Sequence, residues 1–513
     1  MNGADALLAT LLVNNVTACF ANPGTSEMQF VAALDRHPKM RSVLCLFEGV
    51  ATGAADGYGR IADGPACTLL HLGPGYGNGV ANLHNARRAF TPIVNVIGDH
   101  ATYHRQYDAP LNSDIAALAA PNSVWVESAD SADDVPKLAA EAISASCGPP
   151  AGPASLILPA DSAWIETTAE PALAKTPARL PPSGKTIEAI ARALRTAAKP
   201  ALLIGGQACR AEGLAQTARL QAAGIHVMVD TFVARIPRGA GHFTPTPMPY
   251  FGEMALGQLA ATDLFLFAGT TAPVAFFAYP NRPSTLIPAD CVTMTLASRA
   301  EDAVLALRAL ADAIGAPREG PSETFQRPPA PSGPLNPQLA GVSIARHLPE
   351  GAIICDDAVT SSGSVAGQTK TAAPHDVLAL TGGAIGIGLP LAVGAAVAAP
   401  GRKVVALTGD GSAMYTIQAL WTLARENLDV TVVVFVNNSY RILNIEMARM
   451  GSGVAGPQAA KLLGLGEPAI DWVPLAKSLG LPATACETAE QFDAAFAGAM
   501  GQRGPSLIAI AIV

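Results

Sequence analysis

Three stretches of this chain place chemically able side chains directly after apolar runs. Glu48 follows SVLCLF (42–47), His71 falls within ACTLLHL (66–72), and Asp410 follows VVALTG. A carboxylate behind six largely apolar residues is costly unless something answers its charge, so Glu48 is a candidate for proton chemistry rather than solvation. The competing reading is a glutamate that caps a helix. A histidine at a strand end can exchange protons near neutral pH, although many such histidines are structural. The Gly409-Asp410-Gly411-Ser412 turn combines small residues, which admit an anion close to the backbone, with a following helical pattern whose first N–H groups suit phosphate. Asp410 offers Mg²⁺ a hard oxygen. The next apolar run, VTVVVFV, ends in Asn437-Asn438, so an amide oxygen and a backbone carbonyl could complete a metal shell beside Asp410. Each turn alone is common in type. Together, with 25 residues between Gly411 and Asn437, they point to a metal-bridged diphosphate.

These residues need strands to carry them. SVLCLF, ACTLLHL and PIVNVIG (92–98) in the first third alternate with helical patterns. So do PALLIGG (200–206) and DLFLFAG (263–269) in the middle, and GAIICDD, RKVVALTGD and VTVVVFVNN in the last third. This rhythm predicts an α/β protein of mainly parallel sheets flanked by helices, with ligands at the carboxyl ends of strands. Two Pro/Ser/Gly-rich stretches, 167–185 and 315–337, read as linkers. They predict three domains, 1–166, 186–315 and 336–513, a division that suits 513 residues.

Composition narrows the function classes. Half the residues are hydrophobic, only 14% are charged, and the net charge is −8. A large core is affordable, while a basic face for nucleic acid or anionic membrane is not expected. So little charge also suggests surface hidden between subunits. The eight cysteines (Cys19, Cys45, Cys67, Cys147, Cys209, Cys291, Cys355 and Cys486) form no CxxC pair and suit a reducing compartment. MNGADALLATLLVNN lacks signal-peptide features and reads as an amphipathic helix, and a cytoplasmic location is expected. The uncharged run from 377 to 401 is long enough to span a membrane, but its glycines and proline favour a buried turn and helix.

The GDG and NN motifs at this spacing resemble those of the thiamine-diphosphate-dependent 2-oxoacid decarboxylase and acetolactate synthase superfamily. The nearest patterns are those of benzoylformate decarboxylase and short acetolactate synthase-like proteins. The resemblance runs over the whole chain. It implies a pyrimidine-binding first domain, a Rossmann-like central domain and a diphosphate-binding third. It further implies that Asp410, Asn437 and the Ser439 carbonyl hold Mg²⁺, and that Gly409, Gly411 and Ser412 flank the diphosphate. Thr360 and Ser361, after GAIICDD, match a diphosphate loop, although a Ser/Thr turn is the simpler alternative. Gly383 would accept the 4′-amino hydrogen bond that bends the cofactor, and Ile385 would wedge beneath it. Glu48 matches the carboxylate that bonds N1′ and so promotes loss of the C2 proton. Asn22-Pro23-Gly24-Thr25 matches a cofactor loop, His71 a proton-shuttling histidine, and Asn78 a cofactor contact.

By the same resemblance the substrate is a small 2-oxo acid and the enzyme a lyase or carboligase. An ylide adds, CO₂ leaves, and the enamine is protonated or ligated. Each site would lie between subunits of a homodimer or homotetramer. The match fails at two places. Benzoylformate decarboxylase carries a second histidine near the segment corresponding to APVAFFAYPNRP (272–283), where this chain has Ala278 in the best register. Acetolactate synthases have a Gln-Trp pair that SYRILNIEMARM lacks. The central domain is read as mainly structural. A flavin there rests only on Gly205-Gly206 and is not expected, though it stays open, as does a non-catalytic, cofactor-binding role for the whole protein.

Overall fold

The apolar runs lack the in–out alternation of a half-exposed sheet because helices cover both faces of the strands they form. The computed structural model describes residues 1–512 and folds them around three sheets. The first contains β1 (Ala18–Ala21), β2 (Arg41–Leu44), β3 (Ala66–His71), β4 (Ile93–Asp99), β5 (Trp125–Ser128) and β6 (Pro153–Pro159), in the order β2-β1-β3-β4-β6-β5, all parallel. The second contains β7 (Pro200–Ile204), β8 (His226–Val229), β10 (Thr246–Pro247), β11 (Leu264–Ala268) and β12 (Val292–Ala297), ordered β10-β8-β7-β11-β12 and again parallel. The third comprises β13 (Ala352–Asp357), β14 (His375–Ala379), β15 (Val404–Gly409), β16 (Val430–Val436), β17 (Ala483–Cys486) and β18 (Ser506–Ala511). Its order is β17-β18-β16-β15-β13-β14-β9, where β9 (Ile236–Arg238) is borrowed from the middle of the chain and runs antiparallel to β14.

Four local details differ from the sequence reading. The strand expected over 42–47 stops at Leu44, so Glu48 follows three residues of irregular chain rather than the strand itself. The N-terminal helix Gly3–Val13 is buried on most sides, not amphipathic, because it packs beneath the helix Val135–Cys147. The helix expected from Tyr415 onward starts only at Ala419, and the residues read as a turn form the short helix Asp410–Met414. Strand β9 belongs to the third sheet although it lies in the middle segment of the chain. The run from 377 to 401 is the end of β14, a glycine-rich loop and the buried helix Gly388–Ala398. Among the described residues no helix is long and apolar enough to cross a membrane.

One apolar core joins the first and third sheets. It runs from Phe20, Val50 and Leu83 to Ile353, Leu391 and Val432. Its seam is the crossing of the helices Glu48–Ala62 and Gly388–Ala398, which approach closely because small residues face each other. A Cβ at Gly394 would lie 1.8 Å from the Ala54 carbonyl oxygen and 2.5 Å from the Tyr58 nitrogen. Gly394→Ala therefore forces the helices apart and should cost about 1–3 kcal/mol, read as a lower urea midpoint at unchanged slope. A midpoint equal to wild type would mean that the seam is not close-packed.

Candidate active site

Strands β1, β3 and β4 are neighbours, so the loops at their carboxyl ends share one crevice. The Asn22–Thr25 loop leaves β1, and its Gly24 lies against the His71 ring at the end of β3: a Cβ there would come within 2.2 Å of Nδ1. Glu27, only 3% exposed, ties the two together. Its carboxylate accepts from the Gly24 N–H at 2.7 Å and the Ser26 hydroxyl at 2.6 Å, and it stands 2.9 Å from His71 Nδ1. An ionised Glu27 makes Nδ1 the protonated nitrogen and leaves Nε2 as the ring position open to proton exchange. Asn22 and Thr25 sit in the same loop, Asn22 half-buried and Thr25 exposed.

Glu48 is the first residue of the helix Glu48–Ala62 and is 6% exposed. The Asn78 side chain, from the helix Leu72–Ala89, donates to its Oε2 at 3.0 Å. The two residues selected separately from sequence thus meet.

In the third sheet, β13, β15 and β16 are adjacent and end in Asp357, Gly409-Asp410 and Asn437. The Asp410 carboxylate accepts from the Gly411 N–H at 2.9 Å, the Asn437 N–H at 3.1 Å and the Asn438 N–H at 2.6 Å. Asn437 Oδ1 accepts from the Ser439 N–H at 2.9 Å. Asp410 is 3% exposed, and burial pushes its carboxyl above the usual range. Among the described residues no lysine, arginine or histidine pairs with it. A buried carboxylate, an amide oxygen and a nearby carbonyl form the hard-oxygen set that Mg²⁺ takes. The residues fit that ion, and Asp410, Asn437 and Ser439 would hold it. Ser412 is buried in the same short helix. Ser361 is buried and Thr360 half-buried before the helix Ser362–Thr369, and no hydrogen bond among the described residues joins either side chain to Asp410.

Between the two clusters lies the loop from 382 to 387, which carries Gly383 and Ile385. Gly383 has φ +82°, a conformation that glycine adopts without strain. Ile385 is half-buried against the main core. Asn85 clamps the loop by accepting from the Gly382 N–H at 3.1 Å and the Ala384 N–H at 3.3 Å while donating to the Ala384 carbonyl at 2.8 Å. His84 Nε2 donates to the Gly382 carbonyl at 3.0 Å. From the other side, Asp357 Oδ2 accepts from Gly386 N–H at 2.8 Å and Gly388 N–H at 3.2 Å.

Glu27, Asn85 and Asp357 escaped the sequence reading. Glu27 alone had a local signal, as an acid three residues after Gly24 at the position of a capping-box glutamate.

Comparison with known proteins supplies the context. Residues 1–118 match the family model described as the thiamine pyrophosphate enzyme N-terminal TPP binding domain, and residues 358–510 match its C-terminal TPP binding domain. The chain is 49% identical to "Putative acetolactate synthase large subunit IlvX" of Mycobacterium tuberculosis, over 100% of this chain and 99% of that protein. It is 29% identical to benzoylformate decarboxylase of Pseudomonas aeruginosa, over 97% of this chain and 96% of that one. Among solved structures, the thiamine diphosphate-dependent 4-hydroxybenzoylformate decarboxylase of Rhodococcus jostii RHA1 superposes with a TM-score of 0.87 at 25% identity, covering 100% of this chain and 99% of the other.

The Asp357 clamp has a pH signature. Burial pushes its carboxyl up to about 7, and its Oδ1 is buried without a hydrogen-bond partner. Because the folded value lies above the unfolded one of about 3.9, this group's contribution to stability is complete below the unfolded value and is lost as pH rises through 7. The melting temperature of the cofactor-free protein should fall between pH 5 and pH 8, and Asp357→Asn should flatten that fall. An equally steep fall in the variant would locate its origin elsewhere.

Proposed function

The chain belongs to the thiamine pyrophosphate enzyme family, and within it we propose a Mg²⁺-dependent lyase or carboligase of 2-oxo acids. The observation that carries this reading is the buried Glu48 carboxylate, which among the described residues accepts a side-chain hydrogen bond only from Asn78, at the crevice that also holds His71. When bound, thiamine diphosphate supplies the nucleophilic carbon that adds to the keto group and the electron sink that releases CO₂. The protein's own part falls to four groups. Glu48 would hold or accept a proton beside the cofactor's pyrimidine ring. Asp410, Asn437 and Ser439 would hold Mg²⁺, which would supply positive charge to the diphosphate. The clamped loop presents the Gly383 carbonyl. His71, oriented by Glu27, moves a proton at Nε2 to or from the reacting carbon, which supports protonation and aldehyde release, with ligation as the competing fate.

The completed site is proposed to lie between two copies of the chain. Within one chain no hydrogen bond among the described residues joins the Glu48 cluster to the Asp410 cluster. Leu46, Met414 and Tyr415, close in sequence to each, are exposed by 45%, 41% and 54%. A second copy would cover them.

The direct test is CO₂ release from a panel of 2-oxo acids with thiamine diphosphate and Mg²⁺, with products identified. Aldehyde or 2-hydroxyketone is expected, and no CO₂ from any acid with the cofactor demonstrably bound would overturn the proposal. Glu48→Gln should bind the cofactor with affinity close to wild type. It should slow hydrogen–deuterium exchange at the cofactor C2 by about 10²-fold or more, a typical loss for a positioned proton-transfer group. Exchange at the wild-type rate would remove Glu48 from this role.

A further inference from the structure

A buried hydrogen bond ties the loop from 382 to 387 to the element that carries Asp410. The Thr416 hydroxyl donates to the Gly386 carbonyl at 2.6 Å, across 30 residues, and Thr416 is 3% exposed. A threonine inside a helix turns this hydroxyl onto a carbonyl one turn back. Thr416 lies instead in the break between the helices Asp410–Met414 and Ala419–Arg425. Its N–H donates to the Ala413 carbonyl at 3.3 Å, and its hydroxyl reaches across to the loop.

The contact is close as well as polar. Gly386 has φ +93°, and a Cβ on it would lie 2.4 Å from Tyr415 Cβ and 3.3 Å from the Ser412 carbonyl oxygen. A side chain at 386 would therefore push the loop off the Ser412–Thr416 turn, and glycine adopts this φ without strain. On the other side the Gly386 N–H donates to Asp357 at 2.8 Å. Both backbone polar groups of Gly386 are thus held, the N–H by the last residue of β13 and the carbonyl by a side chain six residues beyond Asp410. Gly383 stands three residues before this doubly held point.

We infer that Thr416 is a positioning residue that relays occupancy of the Asp410 cluster to the loop, so that a metal-bearing diphosphate held there also fixes the backbone that presents the Gly383 carbonyl. This rests on the reading of Asp410, Asn437 and Ser439 as a metal site for a diphosphate. The buried Asp410 carboxylate receives only N–H donors among the described residues. A cation offsets that charge, so binding stabilises the short helix that Asp410 opens. The chain that continues this helix, with the Tyr415 N–H bonded to the Ser412 carbonyl at 3.2 Å, is stabilised with it, and Thr416 extends that gain to Gly386.

The test uses the full, cofactor-free chain and, as the probe, Mg²⁺ with inorganic pyrophosphate, which can occupy the Asp410 cluster but has no ring to touch Gly383. Hydrogen–deuterium exchange of the backbone amides from 384 to 388 is read with and without the probe, and calorimetry follows its binding. In wild type the bound probe should slow this exchange about fivefold, the size of effect one buried hydrogen bond gives. Thr416→Val, which keeps the shape and removes the hydroxyl, should bring that ratio below about twofold. Thr416→Ser, which restores the hydroxyl, should recover it. Each variant is compared with itself, so a general loosening by valine cancels from the ratio. A ratio near one in wild type with the probe bound, or an unchanged ratio in Thr416→Val, would overturn the relay and leave the metal site standing. No binding of Mg²⁺ and pyrophosphate at millimolar concentration would remove the metal site, and the relay with it.

Discussion

The buried guanidinium of Arg60 is where the three parts of the chain are locked together. It forms an ion pair with Asp56 one turn earlier, at 2.8 and 2.6 Å, and Thr91 donates to the same carboxylate at 2.6 Å. The remaining donors reach the Ala379 carbonyl at 2.7 Å, the Thr381 hydroxyl at 3.0 Å and the Ala234 carbonyl at 3.2 Å. Arg235 answers from the other direction, donating to the Arg60 and Ile61 carbonyls, both at 3.1 Å, and pairing with Asp376 at 3.0 Å. A buried ion pair contributes little net stability, but losing one member leaves an uncompensated charge at a cost of about 3–5 kcal/mol. Such a network tolerates one arrangement only. It fixes the far end of the helix that begins at Glu48, the end of β14, and the strand β9 borrowed from the middle segment.

The chain beyond Thr381 inherits that precision. The loop from 382 to 387 starts at the Arg60 lock, is gripped by His84 and Asn85, and is closed by Asp357 beneath Gly386 and Gly388. A glycine carbonyl offered to a ligand from a free loop would first have to be ordered, and that entropy would come out of binding. Here the hydrogen bonds of the fold have already ordered it, which is the form of preorganisation that positioned chemistry needs.

The same long-range clamping explains which parts were legible from the sequence. Strands announce themselves by apolar runs, so the positions of Glu48, His71, Asp410 and Asn437 close to strand ends were legible, while the roles proposed for them come from the family resemblance. The α/β architecture with three parallel-rich sheets followed from the same rhythm. The partners that orient these residues could not be found that way. Asn85 meets Ala384 across 299 residues, and Arg60 meets Ala379 across 319. No local pattern marks an asparagine or arginine whose contact lies in another third of the chain. The early end of β2 and the all-round burial of Gly3–Val13 have the same origin, since tertiary packing overrode local preference in both.

Five of the buried carboxylates divide by partner. Asp56 and Asp376 are answered by arginines, with Asp376 pairing with both Arg235 and Arg402. Glu48, Asp357 and Asp410 receive N–H donors only, and among the described residues no lysine or arginine pairs with them. Dipoles compensate a buried charge incompletely, which is why burial raises the carboxyls of Asp357 and Asp410. Glu48 and Asp410 lie at the two crevices, so negative charge left without a counter-ion accumulates where a bound cation would offset it. A protein stabilised for its own sake would have placed arginines there. Leaving them out costs stability in the empty state and would favour the metal-bearing, positively charged cofactor proposed above.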